Sequence, residues 1–302
     1  MTATGETTWT ELTGVPAELL ALAHRCIAAD GGMPLATDLR FLGRRWSGDE
    51  VTAFGLPAAD GSLLAAGAVR GGPAFTGLVD PAARGRGFGS ALLDQGLELA
   101  GRDLPGRVAA HADIAADVEI TVESETLTDD AVALFESRGL RQVFAEDVLR
   151  IDLTEAPPAA VWPAEATLST WSQPVARRFH ATYHGAFRDR PGFPADPVDE
   201  WIAENEDDED FLPDSSLLVT LPGLGDAGFI TTARGWVVQV GVVPSARRLG
   251  LAAALITEAL ARMRAAGDTH AWLTVNVNNP GAAAVYRRLG FADRGRRARF
   301  RG

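Results

Sequence analysis

Two stretches of this chain could hold a phosphate. Residues 79–93 read VDPAARGRGFGSALL, and residues 242–256 read VVPSARRLGLAAALI. In each, an apolar run ends in Pro. An Arg follows, a Gly stands three residues after it, and a small residue stands two further on (Arg84, Gly87 and Gly89; Arg247, Gly250 and Ala252). A strand that ends in such backbone and opens a helix leaves several N–H groups unpaired at one point. The helix dipole adds partial positive charge there. The small residues let a diphosphate approach the backbone, and Arg84, Arg86, Arg247 and Arg248 can supply charge-assisted contacts. A single Gly-x-Gly is more often an ordinary tight turn. The recurrence of the whole pattern favours a phosphate-bearing cofactor.

Two familiar phosphate loops do not fit. The chain has no Lys at all, so the G-x-x-x-x-G-K-[ST] loop is absent. The segments also lack the βαβ pattern of a dinucleotide fold. His180 and His184, at i and i+4, could bind a metal, but no third ligand is evident and no metal site is expected. Packing or surface placement is the favoured reading for both, with acceptor contact or a general-base role for His184 the minority one. Cys26, the only cysteine, reads as a small buried hydrophobe, and no intramolecular disulfide can form.

The elements that must position these residues also recur. Pro81, Arg84 and Gly87 each lie 163 residues before Pro244, Arg247 and Gly250. AVALFESRGL (131–140) matches AAVYRRLGF (283–291) when Phe135 is set on Tyr286 and Gly139 on Gly290. The chain therefore reads as two copies of one domain, 1–153 and 167–302, joined by a Pro-punctuated linker at 154–166. Each copy opens with helical segments, 16–29 and 174–187. A hairpin follows, 51–70 with a turn at Asp60-Gly61, and 216–235 with a turn signal at Gly225-Asp226. After the second loop, Ala252, Leu255, Ile256, Ala259, Leu260 and Met263 form one apolar helical stripe. A buried strand at 270–277 comes next. The helix after it carries Ala282, Val285, Tyr286 and Leu289 on one face and stops at Gly290. The C-terminal RGRRARFRG reads as a basic edge strand.

Composition narrows the partners. With 46% hydrophobic and 23% charged residues, the chain has the make-up of an ordinary globular protein. Its net charge of −12 makes nucleic acid a poor partner, because phosphate contacts dominate that affinity. No apolar run is long enough to span a membrane, and the N-terminus has no signal-peptide pattern. A cytoplasmic monomer or homodimer is expected. Residues 196–210 hold nine acids and no base; a solvated acidic segment is the plainer reading, a cation-attracting rim the sharper one.

At these residues the chain resembles the GNAT superfamily of acetyl-CoA-dependent N-acetyltransferases. That family's loop is (Gln/Arg)-x-x-Gly-x-(Gly/Ala) after a strand ending in x-Pro. Its second motif is Asn, Ala and Tyr on a helix closed by Gly-Phe, matched here by Asn279, Ala282, Tyr286, Gly290 and Phe291. The resemblance covers nearly the whole chain as a tandem pair. It implies an α/β (α+β) fold of two GNAT-like domains, each a mixed, mostly antiparallel twisted sheet with helices on both faces. It implies acetyl-CoA as co-substrate, with its pantetheine threaded between two splayed strands. In the second copy the cofactor contacts would be Val240, Gly241, Val242, Arg247, Arg248, Leu249, Gly250, Leu251, Ala252 and Asn279. In the first they would be Leu78, Val79, Arg84, Gly85, Arg86, Gly87, Phe88 and Gly89.

The implied reaction is attack of a small-molecule amine on the thioester, with Tyr286 as the acid that protonates the departing thiolate. The first copy has Phe135 there, Thr128 for Asn279 and Leu140 for Phe291, so it is expected to lack turnover of its own. Many family members place a Glu on the strand before the loop, but 235–244 carries no carboxylate, and its one polar side chain is Gln239. Gln239 would orient a water or the acceptor. The tandem architecture is similar to that of the mycothiol synthases, yet Trp236 stands where their Glu belongs. That departure argues against a simple assignment to them and leaves the superfamily intact. The competing reading is an acyl-CoA-binding regulatory or scaffold protein without turnover.

Overall fold

The computed structural model describes residues 8–71, 73–110, 119–190 and 192–302, with the backbone alone for 102–110. It divides into two compact units. The first runs to Val148 and includes Arg294–Gly302; the second is Leu149–Asp293.

In chain order the strands and helices of the first half are β1 (Thr10–Glu11), α1 (Ala17–Asp30), α2 (Leu39–Trp46), β2 (Val51–Pro57), β3 (Leu63–Arg70), β4 (Ala74–Val79), α3 (Phe88–Ala110), β5 (Thr121–Ser124), α4 (Asp129–Ser137) and β6 (Arg141–Asp152). The second half holds β7 (Thr167–Thr170), α5 (Gln173–Phe187), α6 (Val198–Glu206), β8 (Leu217–Leu221), β9 (Gly225–Ala233), β10 (Trp236–Val242), α7 (Leu251–Ala265), β11 (His270–Asn276), α8 (Pro280–Arg288) and β12 (Ala292–Arg301). The first unit orders its strands β1-β2-β3-β4-β5-β12-β6, and the second orders them β11-β10-β9-β8-β7. In both, the early strands pair antiparallel, while β4–β5 and β10–β11 pair parallel.

Each sheet is covered on both faces, as alternation along its strands requires. In the second unit, Leu217, Val219 and Ile230 pack with Leu255, Ile256 and Leu260 of α7. Their neighbours Leu218 and Phe229 face the other way, onto Phe179 and Tyr183 of α5 and Trp201 of α6. In the first unit, Ala66 and Ala68 of β3 meet Leu19 and Leu22 of α1. Gly67 between them faces Leu92 of α3, where a Cβ would come within 3.0 Å of that side chain. The α7 stripe behaves as its spacing predicts: Leu255, Ile256, Ala259 and Met263 are fully buried. Full burial stabilises by about 1.5–3 kcal/mol for each large side chain.

Cys26 is buried in α1, and burial pushes its thiol up to about 11. Its Sγ lies 3.4 Å from the Val79 carbonyl, which fits the packing role read from the sequence.

Two expectations are corrected here. The second hairpin turns at Pro222–Leu224, where Gly223 takes φ 77°, and Gly225-Asp226 already belongs to β9. Asp226 is drawn into the strand by Arg178, whose guanidinium donates to it at 2.6 and 3.0 Å. The arginine-rich C-terminus is an interior strand of the first unit, between β5 and β6, and so is not an edge. Phe300 and Ala298 point into the core. The intervening arginines are neutralised along the strand: Arg296 on Asp147 and Arg297 on Glu146, each at 2.6 Å, and Arg299 on Glu123 at 3.4 Å.

Candidate active site

In the second unit the site begins where two strands part. β10 and β11 share a single parallel position, Trp236 with Trp272, whose indoles stack at 6.3 Å. Beyond it, Gln239–Val242 pair only with β9, so one edge of β10 is left open. The same divergence occurs in the first unit. β4 and β5 pair at Ala74, Phe75 and Thr76, and the ladder stops before Leu78 and Val79. The predicted strand contacts of both copies therefore lie on the open edges.

The loop that follows has one backbone in both units. Arg248 and Gly250 take φ of 65° and 81°, and their repeat partners Gly85 and Gly87 take 72° and 88°. Left-handed geometry costs an L residue about 1–2 kcal/mol, so Arg248 sits where glycine would be easier. Its side chain is exposed. Gly250 is the N-cap of α7 without any side-chain cap, and the first intrahelical bond is Ala254 N–H to Gly250 O at 3.1 Å. The N–H groups of Leu251, Ala252 and Ala253 thus have no intrahelical acceptor. A Cβ built on Gly250 meets nothing within 4 Å. That open space beside free N–H groups and a positive helix end suits an anion.

The arginines divide their work. Arg247 does not project into this space. Its Nη2 donates to Ala186 O at 3.1 Å and its Nε to Val242 O at 3.3 Å, which ties the end of α5 to the end of β10. Arg84 is the same brace in the first unit: it donates to Val79 O and grips Asp30 of α1 with two bonds of 2.6 Å. Arg86 lies over the Phe88 ring at 5.2 Å.

Tyr286 is buried on α8, with its ring 6.1 Å from that of Phe291. Its hydroxyl has no hydrogen-bond partner among the described residues. Burial pushes the phenol up to about 12, partly offset by Arg190. Phe135 takes the matching place in the first unit, against Phe300 at 5.0 Å. Asn279 caps α8: its Oδ1 accepts from Ala282 N–H at 3.3 Å, so its carbonyl oxygen is already engaged. Thr128 caps α4 in the same way, accepting from Ala131 N–H at 3.2 Å. The Asn-to-Thr difference between the copies therefore preserves the cap.

Gln239 stands opposite Thr231, beside the register shift in β10. Its Oε1 is buried without a partner, as is Thr231 Oγ1. Both lie on the face covered by α5, the same face on which Gly241 approaches Phe229 and Ala186. On α5, His180 Nε2 is 3.0 Å from Asp196 O, and Tyr183 donates to Asp196 Oδ2 at 3.0 Å. Of the acidic segment, Asp196 and Glu206 are thereby tied into the fold, Glu206 by Trp171 and Gln173.

The first unit holds a cavity of about 100 Å³ between its parted strands. Of the residues expected around a cofactor in this copy, Leu78, Val79, Arg84 and Gly89 line it, beside Phe135, whereas Gly85, Arg86, Gly87 and Phe88 are not in its lining. A second pocket was not foreseen. It lies over the start of α7 and is walled by the linker at Val161 and Trp162. The signal was present in the repeat: Thr257 and Leu289 replace Asp94 and Arg138 at matching positions.

Comparison with known proteins agrees with this geometry. Residues 177–291 match the model of the acetyltransferase (GNAT) family. A mycothiol acetyltransferase of Geodermatophilus obscurus is 34% identical over 91% of this chain and 90% of its own length. One from Clavibacter sepedonicus is 31% identical over 91% and 88%. Among solved structures, a GCN5-related N-acetyltransferase from Sphaerobacter thermophilus superposes with a TM-score of 0.73 at 26% identity, covering 97% of this chain and 95% of that one. A tandem GNAT protein from the clavulanic acid biosynthesis pathway shares the fold, with a TM-score of 0.60 at 16% identity over 98% of both chains. The likeness to the mycothiol acetyltransferases spans the chain even though Trp236, spent on stacking Trp272, replaces the expected Glu. With identity of 34% to a relative across nine tenths of both chains, this chain belongs to the GNAT family of N-acetyltransferases and resembles the mycothiol acetyltransferases within it.

Proposed function

We propose that the second unit transfers an acetyl group from acetyl-CoA to a primary amine of a small molecule, by direct attack on the thioester. The observation that carries this reading is the single paired position between β10 and β11 beside the open start of α7. A slot for an extended chain leads there to a cradle for a diphosphate. In the reaction the amine lone pair bonds to the acetyl carbon, and the carbonyl oxygen takes up negative charge. The C–S bond then breaks, and the thiolate leaves with the electron pair. N–H groups on the open edge of β10 are donors for the oxyanion. Tyr286 gives its hydroxyl proton to the thiolate. Gln239 Oε1 accepts an amine N–H and so aims the lone pair; the amine's surplus proton leaves to solvent, and Tyr286 regains one from solvent, which closes the cycle.

The relatives' names make an amine of the mycothiol type the first acceptor to test. Thiol release from acetyl-CoA, followed against a panel of amines, should appear only with a suitable amine and match the N-acetyl product one for one. Tight acetyl-CoA binding without release for every amine would overturn the proposal.

We also propose that the first unit binds acyl-CoA without chemistry of its own. Its loop repeats the backbone of the second and its cavity is open, but Phe135 has no proton to give. Native mass spectrometry should count two acetyl-CoA per chain. A count of one would make the first unit purely structural.

A further inference from the structure

Arg190 has no part in the transfer step. It lies just past the end of α5, is exposed, and its guanidinium sits over the Phe187 ring at 5.0 Å. That ring lies against β10 where its edge is open: a Cβ added to Gly241 would come within 3.2 Å of Phe187 Cε2. Arg190 therefore stands beside the strand edge of the slot, with the Phe187 ring between them. The chain beyond it is tied to the same helix. Phe193 packs back on Tyr183 and His184 at 5.2 and 5.4 Å, and Tyr183 donates to Asp196 at 3.0 Å.

The charge of Arg190 is uncommitted. Among the described residues no carboxylate pairs with its guanidinium, and the acids beside it serve other groups: Asp189 pairs with Arg188 at 3.9 Å, and Asp196 accepts from Tyr183. β10 contributes no acid. The charge still reaches the reacting centre, where it offsets part of the rise that burial imposes on the Tyr286 phenol. A guanidinium that rests its face on an aromatic ring keeps its N–H edge free, and that edge fits a carboxylate with two parallel bonds. A second observation lies on the same face of the sheet. Gln239 Oε1 and Thr231 Oγ1 are buried there with no partner. This face thus offers oxygens for an amine N–H and a cation for an anion.

We propose that Arg190 binds a carboxylate of the acceptor, so that the amines preferred by the second unit belong to the amino-acid class. The inference rests on the acetyl-transfer reading above and narrows its acceptor. The amine nitrogen approaches Gln239 while the carboxylate pairs with the guanidinium. Two contacts fix the direction of the lone pair better than one, because they remove the rotation that a single contact allows. An amine without the anion keeps the first contact and loses the second. Since Arg190 is exposed, the preference should also weaken as salt is raised.

The test pairs a panel of L-amino acids with the amines that lack only the carboxylate, such as phenylalanine with phenethylamine. The readout is the ratio of kcat/KM within each pair, in which any effect on the shared chemistry cancels. The parent should favour the carboxylate at least about tenfold, the worth of a hydrogen bond to a charged group. Arg190→Gln should bring the ratio to about one. Arg190→Lys should keep part of the preference, and Arg190→Glu should reverse it. Arg188→Gln, at the neighbouring exposed arginine that faces Asp189, is the control and should keep the parental ratio. A parental ratio near one, or a preference that survives Arg190→Gln, would overturn the proposal. So would an equal fall in Arg188→Gln, which would reduce the effect to net charge. A parent protein that acetylates no amine of either kind would instead defeat the acetyl-transfer reading, and the carboxylate site with it.

Discussion

Replacing Tyr286 by Phe should lower kcat by about 10²–10⁴, the typical worth of a positioned general acid. The change removes the hydroxyl and keeps the ring that packs against Phe291. Since the hydroxyl has no described partner, thermal stability should stay within about 0.5 kcal/mol of the parent. The pH dependence fixes the role. Burial raises the phenol from 10.0 to about 12, so the folded state holds its proton more tightly than the unfolded chain. The acid is therefore fully loaded at pH 6–9, and kcat of the parent should not fall there through loss of this proton. The matching stability is present below pH 10 and is lost as pH rises from about 10 toward 12. Rapid-quench measurement of the acetyl-transfer step checks the claim. Parental turnover by Tyr286→Phe across pH 6–9 would show that the thiolate takes its proton from elsewhere.

The second large effect is expected at Gly250. Val there has two costs that can be separated. The first is backbone strain, since φ 81° is left-handed and costs an L residue about 1–2 kcal/mol. The second is occupation of the anion cradle: a Cβ meets no protein atom within 4 Å, so the added methyls fill the space beside the Leu251 and Ala252 N–H groups. Gly267, just past the end of α7, has φ 103° and equally open surroundings. Gly267→Val should thus carry a comparable loss of stability and leave acetyl-CoA affinity alone. Gly250→Val should weaken affinity at the second unit at least tenfold, about 1.4 kcal/mol. Calorimetry on both variants checks this; equal affinities would remove the diphosphate from the α7 start.

Features encoded by a few neighbouring residues were legible in the sequence. The loop could be read because a strand end, a left-handed glycine and a helix start leave a short pattern, and it occurs twice. The α7 stripe and the Gly290 stop are equally local. What could not be read depends on partners far along the chain. Nothing in RGRRARFRG says that Asp147, Glu146 and Glu123 await its arginines, so a run of charges looked like an edge. Arg247 and Arg84 stood in the right motif, but their guanidinium groups are claimed by the carbonyls of Ala186, Val242 and Val79. The pocket at the start of α7 escaped notice because a Pro-rich linker carries no periodicity to show which helix it lies against.

The placement of β12 bears on how the chain is made. A ribosome releases residues in order, at about 5–20 per second. The first unit therefore emerges without its sixth strand in sheet order and waits on the order of ten seconds for Phe300 to arrive. During that interval β5 exposes a bare edge, the kind of surface that recruits foreign strands. The C-terminal nine residues fall to the first unit, so the half encoded later has all of its own residues before the earlier half does.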